Sequence, residues 1–411
     1  MWAEKRVFYH IYPLGFCGDR GLEKISGIIG HLKYIGADAL YLGPVFQSAN
    51  HGYDTSDYFR IDPRLGSNDD FREVCRQLHE NGIKVIVDGV FNHVGREFWA
   101  FRDVRENKEN SRYCDWFLLN WNGNNHYDDG FYYQNWEGCS DLVKLNLKNQ
   151  DVKNHLFEAI KSWTDNYDID GLRLDVAYCL DKKFLTELRN FCRVLKDDFW
   201  LMGEIVHGDY NQLMNERMLD SVTNYECYKG LYSSCNDKNM FEIAHSLRRQ
   251  QELYGGKFMY NFLDNHDVSR IASKLKDKRD LKLLYTMLYL IPGIPSIYYG
   301  SEFGIEGDKD AGGDSILRPS LNEFTPNELT EHIRRLSLIR KENEVVVYGA
   351  YKELLLQNEQ FVFSRENGSN KAVCAVNLSE EEYEADIEGQ KINIPPKEAL
   401  LLIDGKSVLQ R

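Results

Sequence analysis

The sequence predicts a (β/α)8 barrel with an inserted subdomain after the third strand and an antiparallel β domain at the C-terminal end. Three observations support this fold class. Short apolar runs alternate with helix-periodic segments eight times before residue 343. One long irregular stretch interrupts the alternation after the third run, and strand-like runs replace it beyond residue 344. Eight strand–helix units in order favour a closed parallel barrel over an open sheet.

Each barrel strand is predicted from a short apolar run followed by a turn or a helical pattern. Apolar residues three and four positions apart predict the helices, beginning with the set from Leu22 to Ile35. Ser67 can cap the helix that contains Phe71 and Leu78, and Gly82 can end it. The predicted strands are 7–11, 39–42, 84–88, 171–175, 200–204, 222–224, 258–263 and 295–299, and later helices cover about 152–163, 181–195, 238–253, 279–290 and 327–342.

The chain divides into three predicted parts. Residues 1–92 and 147–343 form the barrel, residues 93–146 form the inserted subdomain, and residues 344–411 form a C-terminal β-sandwich. The insertion shows no helical period and is dense in Asn, Asp, Gly, Tyr and Trp, and so long an irregular stretch is usually functional. The C-terminal strands are expected at 345–347, 354–356, 361–363, 372–376 and 399–403.

Composition narrows the classes of partner. The net charge of −14 over 411 residues argues against a nucleic-acid-binding protein, which needs a basic face. The nine cysteines include no C-x-x-C pair, which predicts no zinc site and fits a reducing compartment. No run reaches transmembrane length, and the first residues show no apolar signal region. We therefore expect a cytoplasmic protein with no nucleic-acid or membrane partner, and its oligomeric state is left open.

Acidic side chains stand at the carboxyl ends of three predicted strands, where barrel enzymes carry their catalytic residues. Asp175 ends the fourth strand, Glu204 ends the fifth, and Asp267 follows the seventh. Glycoside hydrolysis needs two carboxyl groups, and a separation of about 5 Å allows a covalent intermediate with retention of configuration. A lone Asp at a strand end more often caps the next helix, but several strand ends agree here, which favours catalysis.

Arg173 lies two residues before Asp175, so strand geometry places both side chains on one face. A guanidinium there is expected to keep Asp175 ionised and to lower its pKa, as suits a nucleophile. Glu204 must instead arrive protonated, which needs partial burial or a nearby negative charge, and Asp267 can supply that charge.

Four ordered segments make this sequence similar to the α-amylase family of glycoside hydrolases: 88–93, 171–175, the strand end at Glu204, and 262–267. The resemblance covers nearly the whole chain. It implies that Asp175 is the nucleophile, Glu204 the general acid/base and Asp267 the stabiliser of the transition state. It also implies substrate-binding roles: His93 and His266 hydrogen-bond the sugar, Arg173 orients the nucleophile, Tyr53 stacks under the scissile sugar, and Asp314 with Arg318 binds sugars on the non-reducing side.

Some of these residues could instead have purely structural roles. Tyr53 could be a core residue, and Asp314 with Arg318 could be a surface ion pair. In the insertion, Trp136 is a candidate sugar platform together with Phe131, Tyr132 and Tyr133.

Within the family, residues 142–146, 172–177 and 203–207 are most similar to the neopullulanase, cyclomaltodextrinase and maltogenic amylase group. That resemblance implies α-1,4-glucan oligosaccharides and cyclodextrins as substrates. Exo-acting α-glucosidase or transglycosylase activity uses the same carboxylates and is the alternative. A non-catalytic carbohydrate-binding homologue is a third reading, which the complete set of acids disfavours.

Calcium binding is a further family property to weigh. Many members use an Asn of the first segment and a carbonyl after the second; Asn92 is present here, and Tyr178-Cys179 occupy the second position. Asp128 and Asp129 could add oxygen ligands, although a solvated turn explains them equally well. We expect no essential metal and no cofactor.

Overall fold

The computed structural model describes residues 1–409 and contains eight parallel strands in one sheet. The strands are β1 (Phe8–Ile11), β2 (Ala39–Leu42), β3 (Lys84–Gly89), β4 (Gly171–Leu174), β5 (Trp200–Gly203), β6 (Ser221–Val222), β7 (Tyr260–Asn261) and β8 (Ile294–Tyr298). Their order around the sheet is β6-β5-β4-β3-β2-β1-β8-β7, and a parallel bridge between Thr223 and Tyr260 joins the two ends. The predicted barrel is therefore confirmed.

Alternate strand residues point into the barrel, as the two-residue period of a strand requires. Ile86 and Met202 belong to an apolar cluster that fills the barrel interior, whereas Leu172 and Leu174 belong to the larger core between strands and helices. Two residues beyond Ile86 and Met202, the same inward face carries acids. The alternation therefore places polar side chains above an apolar floor, at the carboxyl ends of the strands.

Helices surround the barrel. Ser67 begins one of them with a capping box, in which its hydroxyl accepts from the N–H of Asp70 while the Asp70 carboxylate accepts from Ser67. That helix buries Phe71 and Leu78, as its pattern predicts. The longer helices are Ile29–Ile35, Asn68–Glu80, Gln150–Tyr167, Lys182–Leu195, Tyr225–Asn236, Phe241–Tyr254, Asp280–Leu290, Lys309–Leu317 and Glu328–Glu342.

No helix among residues 1–409 is long and apolar enough to cross a membrane.

Shorter elements complete the chain around the barrel. The short helical segments are Trp2–Lys5, Pro13–Phe16, Gly18–Arg20, Glu23–Gly27, Lys108–Asn110, Cys114–Trp116, Ala177–Cys179, Tyr210–Gln212, Ile271–Lys274 and Ser301–Phe303, and Phe46–Ser48 pairs with Thr55–Ile61 as an antiparallel hairpin.

Two helical regions differ from the predictions. The single helix expected over residues 22–35 is broken at Ile28, whose φ of −101° and ψ of 5° separate Glu23–Gly27 from Ile29–Ile35. The helix Tyr225–Asn236 was not predicted. It buries Gly230, Ser233 and Ser234 along with larger residues, and small polar residues on a buried face give no apolar period to detect.

The insertion between β3 and β4 contains more regular structure than its sequence indicates. The helix Trp99–Asn107 contradicts the expectation of an entirely irregular segment; it buries Ala100, Phe101 and Val104, a stripe too short to stand out among polar neighbours. The strands of this region are His93–Gly95, Leu119–Asn120, Tyr132–Tyr133, Asn135–Trp136 and Cys139–Lys144.

The C-terminal region is antiparallel, as predicted, but begins differently. Residues 345–347, expected as a strand, lie in the helix Glu344–Tyr348, with all three valines buried. A hairpin of Tyr383–Ile387 and Gln390–Ile394 was not predicted. The main sheet comprises Ala350–Leu356, Gln360–Asn367, Asn370–Asn377, Glu398–Ile403 and Lys406–Ser407. The limits of the three parts stay predictions, and Gln410 and Arg411 of the range 344–411 lie outside the described residues.

Candidate active site

The predicted acids meet at the carboxyl ends of the barrel strands. Asp175 follows β4, Glu204 follows β5, and Asp267 lies beyond the end of β7. Asp175 and Glu204 are buried, whereas 34% of the Asp267 side chain is exposed. Three carboxylates from separate strands thus converge on one mouth of the barrel.

Arg173 connects the buried acids. Its Nη1 lies 2.9 Å from Oδ1 of Asp175, and its Nη2 lies 2.9 Å from Oε1 of Glu204. The predicted placement of Arg173 and Asp175 on one face is therefore confirmed. Its contact with Glu204 comes from the neighbouring strand, which the local pattern could not indicate.

Asp88 is a site residue that sequence reasoning did not single out. Its Oδ1 accepts from Nη1 of Arg173 at 2.8 Å, and its Oδ2 accepts from the hydroxyls of Tyr41 at 2.9 Å and Tyr53 at 3.2 Å. The parallel register pairs Asp88 directly with Arg173. The sequence signal that could have identified Asp88 is its spacing: it lies two residues after Ile86 on β3, so its side chain points into the barrel.

The protonation of Asp175 differs from the prediction. Burial raises the pKa of Asp175 well above its ordinary value; Arg173 opposes the rise, and the charges of Glu204 and Asp88 add to it. The predicted net lowering is wrong, because the burial of Asp175 raises its pKa by more than Arg173 lowers it. The cluster of carboxylates therefore favours retention of a proton.

Main-chain groups position Glu204. Its Oε2 accepts from the N–H of Val176 at 2.9 Å, and its main-chain carbonyl accepts from the N–H of Ala177 at 3.0 Å. Each carboxylate oxygen of Glu204 thus has one donor, Val176 for Oε2 and Arg173 for Oε1.

The Asp267 carboxylate lies between His266 and Arg318. Its Oδ2 is 3.0 Å from Nε2 of His266, and its Oδ1 is 3.0 Å from Nη2 of Arg318. Burial raises the pKa of Asp267, but His266 and Arg318 outweigh that effect and hold the pKa well below its ordinary value. Asp267 is therefore an ionised carboxylate in the site.

Tyr53 and His266 form a parallel pair beside these acids. Their ring planes differ by 10° with centroids 5.5 Å apart, and the Tyr53 hydroxyl hydrogen-bonds Nε2 of His266. Tyr53 is only partly buried, so it is placed beside the carboxylates with part of its surface free.

His93 approaches the site from the start of the insertion. Its Nε2 lies 3.7 Å from Oδ2 of Asp175, and its Nδ1 lies 3.1 Å from Nδ2 of Asn92. Burial lowers the pKa of His93 to about 3, so the imidazole is neutral at ordinary pH. A neutral imidazole can donate to or accept from a sugar hydroxyl without adding charge.

Asp314 and Arg318 are joined, but not as an isolated surface pair. Nη2 of Arg318 lies 3.1 Å from Oδ2 of Asp314 and reaches Asp267 with the same nitrogen. The Arg318 guanidinium also packs over the Tyr12 ring, 4.5 Å from its centroid. Arg318 therefore belongs to the site, and Asp314 forms its exposed edge.

The aromatic residues of the insertion separate into two groups. Phe131 and Tyr133 are buried in its core, so their predicted place in a sugar platform is wrong. Tyr132 is 44% exposed. The Trp136 ring lies 6.0 Å from the His93 ring, which places Trp136 beside the site.

The residues weighed as calcium ligands lie in different environments. Asp129 accepts from Arg96 at 2.8 Å and from Asn125, so its oxygens are already bonded. Asn92 Oδ1 is buried without a hydrogen-bond partner, yet no group of three or more His, Cys, Asp or Glu in residues 1–409 could hold a metal. The expectation of no essential metal stays a prediction.

A parallel barrel with three buried carboxylates around one arginine, and a fourth carboxylate nearby, is typical of a glycoside hydrolase of the (β/α)8 class. Residues 10–361 match the family model described as alpha amylase, catalytic domain. The chain belongs to the α-amylase family and is an α-amylase-type glycosidase.

Individual relatives agree with this assignment. A cyclomaltodextrinase of Geobacillus thermopakistaniensis (strain MAS1) is 31% identical over 93% of this chain and 70% of that protein. An intracellular maltogenic amylase of Bacillus subtilis is 30% identical over 89% of this chain and 67% of that protein. The solved ligand-free cyclic alpha-maltosyl-(1→6)-maltose hydrolase of Arthrobacter globiformis has a TM-score of 0.90 and 27% identity, with 98% of each chain covered. These similarities confirm the family and the group indicated by the sequence.

Proposed function

We propose that this protein hydrolyses α-1,4-glucosidic bonds in maltooligosaccharides and cyclodextrins with retention of configuration. One observation carries the proposal: adjacent nitrogens of the Arg173 guanidinium bond Asp175 and Glu204, each at 2.9 Å. Two carboxylates held by one planar fork lie close together, which supports the short separation of about 5 Å that the retaining mechanism requires.

In the first step, an oxygen of Asp175 attacks the anomeric carbon while Glu204 transfers its proton to the leaving glycosidic oxygen. The C–O bond to the leaving chain breaks, and a β-glucosyl ester of Asp175 forms. This step requires the proton on Glu204 and the negative charge on Asp175, and Nη1 of Arg173 bonds Oδ1 of Asp175 to stabilise that charge. Burial of both acids excludes competing water from the pair.

In the second step, Glu204 accepts a proton from water as the water oxygen attacks the anomeric carbon. The ester bond breaks, Asp175 leaves as a carboxylate, and the product is the α-anomer. Asp267 is ionised and faces the growing positive charge in both steps.

We propose that the surrounding polar residues bind the sugar at the cleavage point. His93 provides a neutral ring nitrogen, His266 provides a second ring nitrogen, and Tyr53 provides a ring face against the apolar C–H surface of a pyranose. Arg318, fixed by Asp267 and Asp314, supports the adjoining sugar on the non-reducing side.

The substrate class is supported by the names of the relatives, a cyclomaltodextrinase and a maltogenic amylase. An α-1,6 linkage is a second candidate, because the solved enzyme named for cyclic maltosyl-(1→6)-maltose matches this chain end to end. A cytoplasmic location is also proposed, supported by nine free thiols and by the intracellular maltogenic amylase of Bacillus subtilis.

The test compares β-cyclodextrin, maltotriose, pullulan and cyclic maltosyl-(1→6)-maltose as substrates of the wild type and Asp175→Asn. We expect the wild type to hydrolyse the first two fastest and the variant to be inactive. Proton NMR of the first product should show the α-anomer. A first-formed β-anomer would contradict retention, and preference for the (1→6)-linked ring would favour the second candidate.

A further inference from the structure

The residue after Asp175 has an unusual backbone conformation. Val176 has a φ of 40° and a ψ of 48°, in the left-handed region. Nine non-glycine residues within 1–409 have positive φ, and Val176 is the one β-branched member, the other eight being Lys, Asp or Glu. A β-branched side chain is disfavoured there, so glycine or asparagine would serve stability better.

This turn directs two successive main-chain N–H groups at one acid. The N–H of Val176 donates to Oε2 of Glu204 at 2.9 Å, and the N–H of Ala177 donates to the main-chain carbonyl of Glu204 at 3.0 Å. The Val176 carbonyl accepts from the N–H of Cys179 at 2.8 Å, at the start of the segment Ala177–Cys179. The turn therefore fixes both the side chain and the backbone of Glu204.

The same turn is tied to Asp175. The N–H that reaches Glu204 belongs to the peptide unit joining Asp175 to Val176, and the N–H of Asp175 donates to the Gly89 carbonyl at 3.2 Å. The peptide unit that follows Asp175 thus bonds Oε2 of Glu204, while Arg173 bonds Oδ1 of Asp175 and Oε1 of Glu204. Val176 is 5% exposed, so the turn is buried.

We propose that Val176 is a positioning residue, whose strained turn holds its N–H on Glu204 and so sets the acid/base against the nucleophile. This inference rests on the proposed function, because it takes Glu204 as the acid/base. An N–H donor stabilises the carboxylate that remains after Glu204 has given up its proton. The bond therefore assists proton donation in the first step.

The direct test removes the N–H and retains the side chain. Val176 is replaced by its α-hydroxy acid, so that an ester replaces the amide, and Ala177 is replaced by lactic acid as the matched control. The control deletes an N–H bond to the main chain of the same Glu204. Since hydrogen bonds to charged groups are among the stronger ones, we expect the Val176 ester to lower kcat by about tenfold or more.

The pH profile separates positioning from a structural role. The Val176 ester should move the alkaline limb of kcat/KM to higher pH, because the ionised carboxylate loses a donor. The Ala177 ester should leave that limb in place even if it lowers Tm. Equal effects of the two esters on kcat with unmoved limbs would overturn the inference.

Glycine variants give a second readout in case an ester protein does not fold. Val176→Gly keeps the N–H but frees the turn, and Asp168→Gly relieves a left-handed residue (φ 54°, ψ 33°) at the end of a helix away from the site. We expect kcat to fall several-fold only in Val176→Gly. Wild-type kcat in Val176→Gly would refute the inference, whereas a wild type that cleaves no glucan would refute the proposed function itself.

Discussion

Nη2 of Arg173 lies 2.9 Å from Oε1 of Glu204, so the arginine two residues before Asp175 also holds the acid on the neighbouring strand. Its other terminal nitrogen serves Asp175 and Asp88. A buried cation shared in this way sets both the geometry and the charge of the pair.

Arg173→Lys should nearly abolish activity. A lysine ammonium is a single point charge and cannot bridge two carboxylates through a planar fork. We expect kcat/KM to fall by at least about 100-fold and the free energy of unfolding by about 3 kcal/mol, as when a buried pair is broken. Kinetics and urea unfolding provide the measurement. Arg279→Lys, in an exposed pair with Asp277, is the control and should change stability by less than about 0.5 kcal/mol.

Asp175→Asn should be more stable than the wild type, by an amount that depends on pH. The folded pKa of Asp175 is raised, so its favourable contribution is complete below the unfolded value of about 4 and is lost as pH rises through the folded value. The two proteins should differ little at pH 4, and the variant should gain about 1.4 kcal/mol per unit of raised pKa at higher pH. Urea unfolding at several pH values measures this gain, and a difference that does not change with pH would contradict the assignment.

Arg318→Ala should harm catalysis more than Asp314→Ala. Arg318 contacts the Asp267 carboxylate directly, whereas Asp314 pairs with Arg318 and Lys309, which in turn bond Asp267. We expect kcat/KM on maltotriose to fall by about tenfold or more in Arg318→Ala, since a charge-assisted bond is lost, and by less than about threefold in Asp314→Ala. Equal losses would show that both residues contact the sugar.

Trp136→Ala should weaken binding of longer chains. The Trp136 ring lies beside His93, where a sugar ring could pack on its face. We expect KM for maltohexaose to rise several-fold while kcat changes little. Trp2→Ala, at the opposite end of the barrel beside Trp200, is the matched control and should leave KM unchanged. An unchanged KM in Trp136→Ala would remove this residue from the proposed site.

Local sequence patterns were sufficient where structure follows from local periodicity. The apolar runs predicted all eight barrel strands, and the spacing of Arg173 and Asp175 predicted their shared face. Strand-end acids predicted Asp175, Glu204 and Asp267 as a convergent set, because every parallel strand ends at the same rim. Their catalytic roles stay predictions until the variants are measured.

Packing between distant segments decided the rest. The valines 345–347 favour a strand locally, yet all three become buried in a helix against the barrel and the C-terminal sheet. Phe131 and Tyr133 read as surface aromatics in a polar stretch, but they form the core of the insertion.

The sequence by itself determined the barrel fold, the positions of the acids at the ends of the strands, and the family. Only the tertiary structure decided that Asp88 and Glu204 share Arg173 with Asp175, that the pKa of Asp175 rises, and that the Val176 N–H meets Glu204. The identity of each residue and the spacing of apolar residues are local properties of the chain. Burial and electrostatic coupling depend on residues that only the folded barrel brings within a few ångströms of each other.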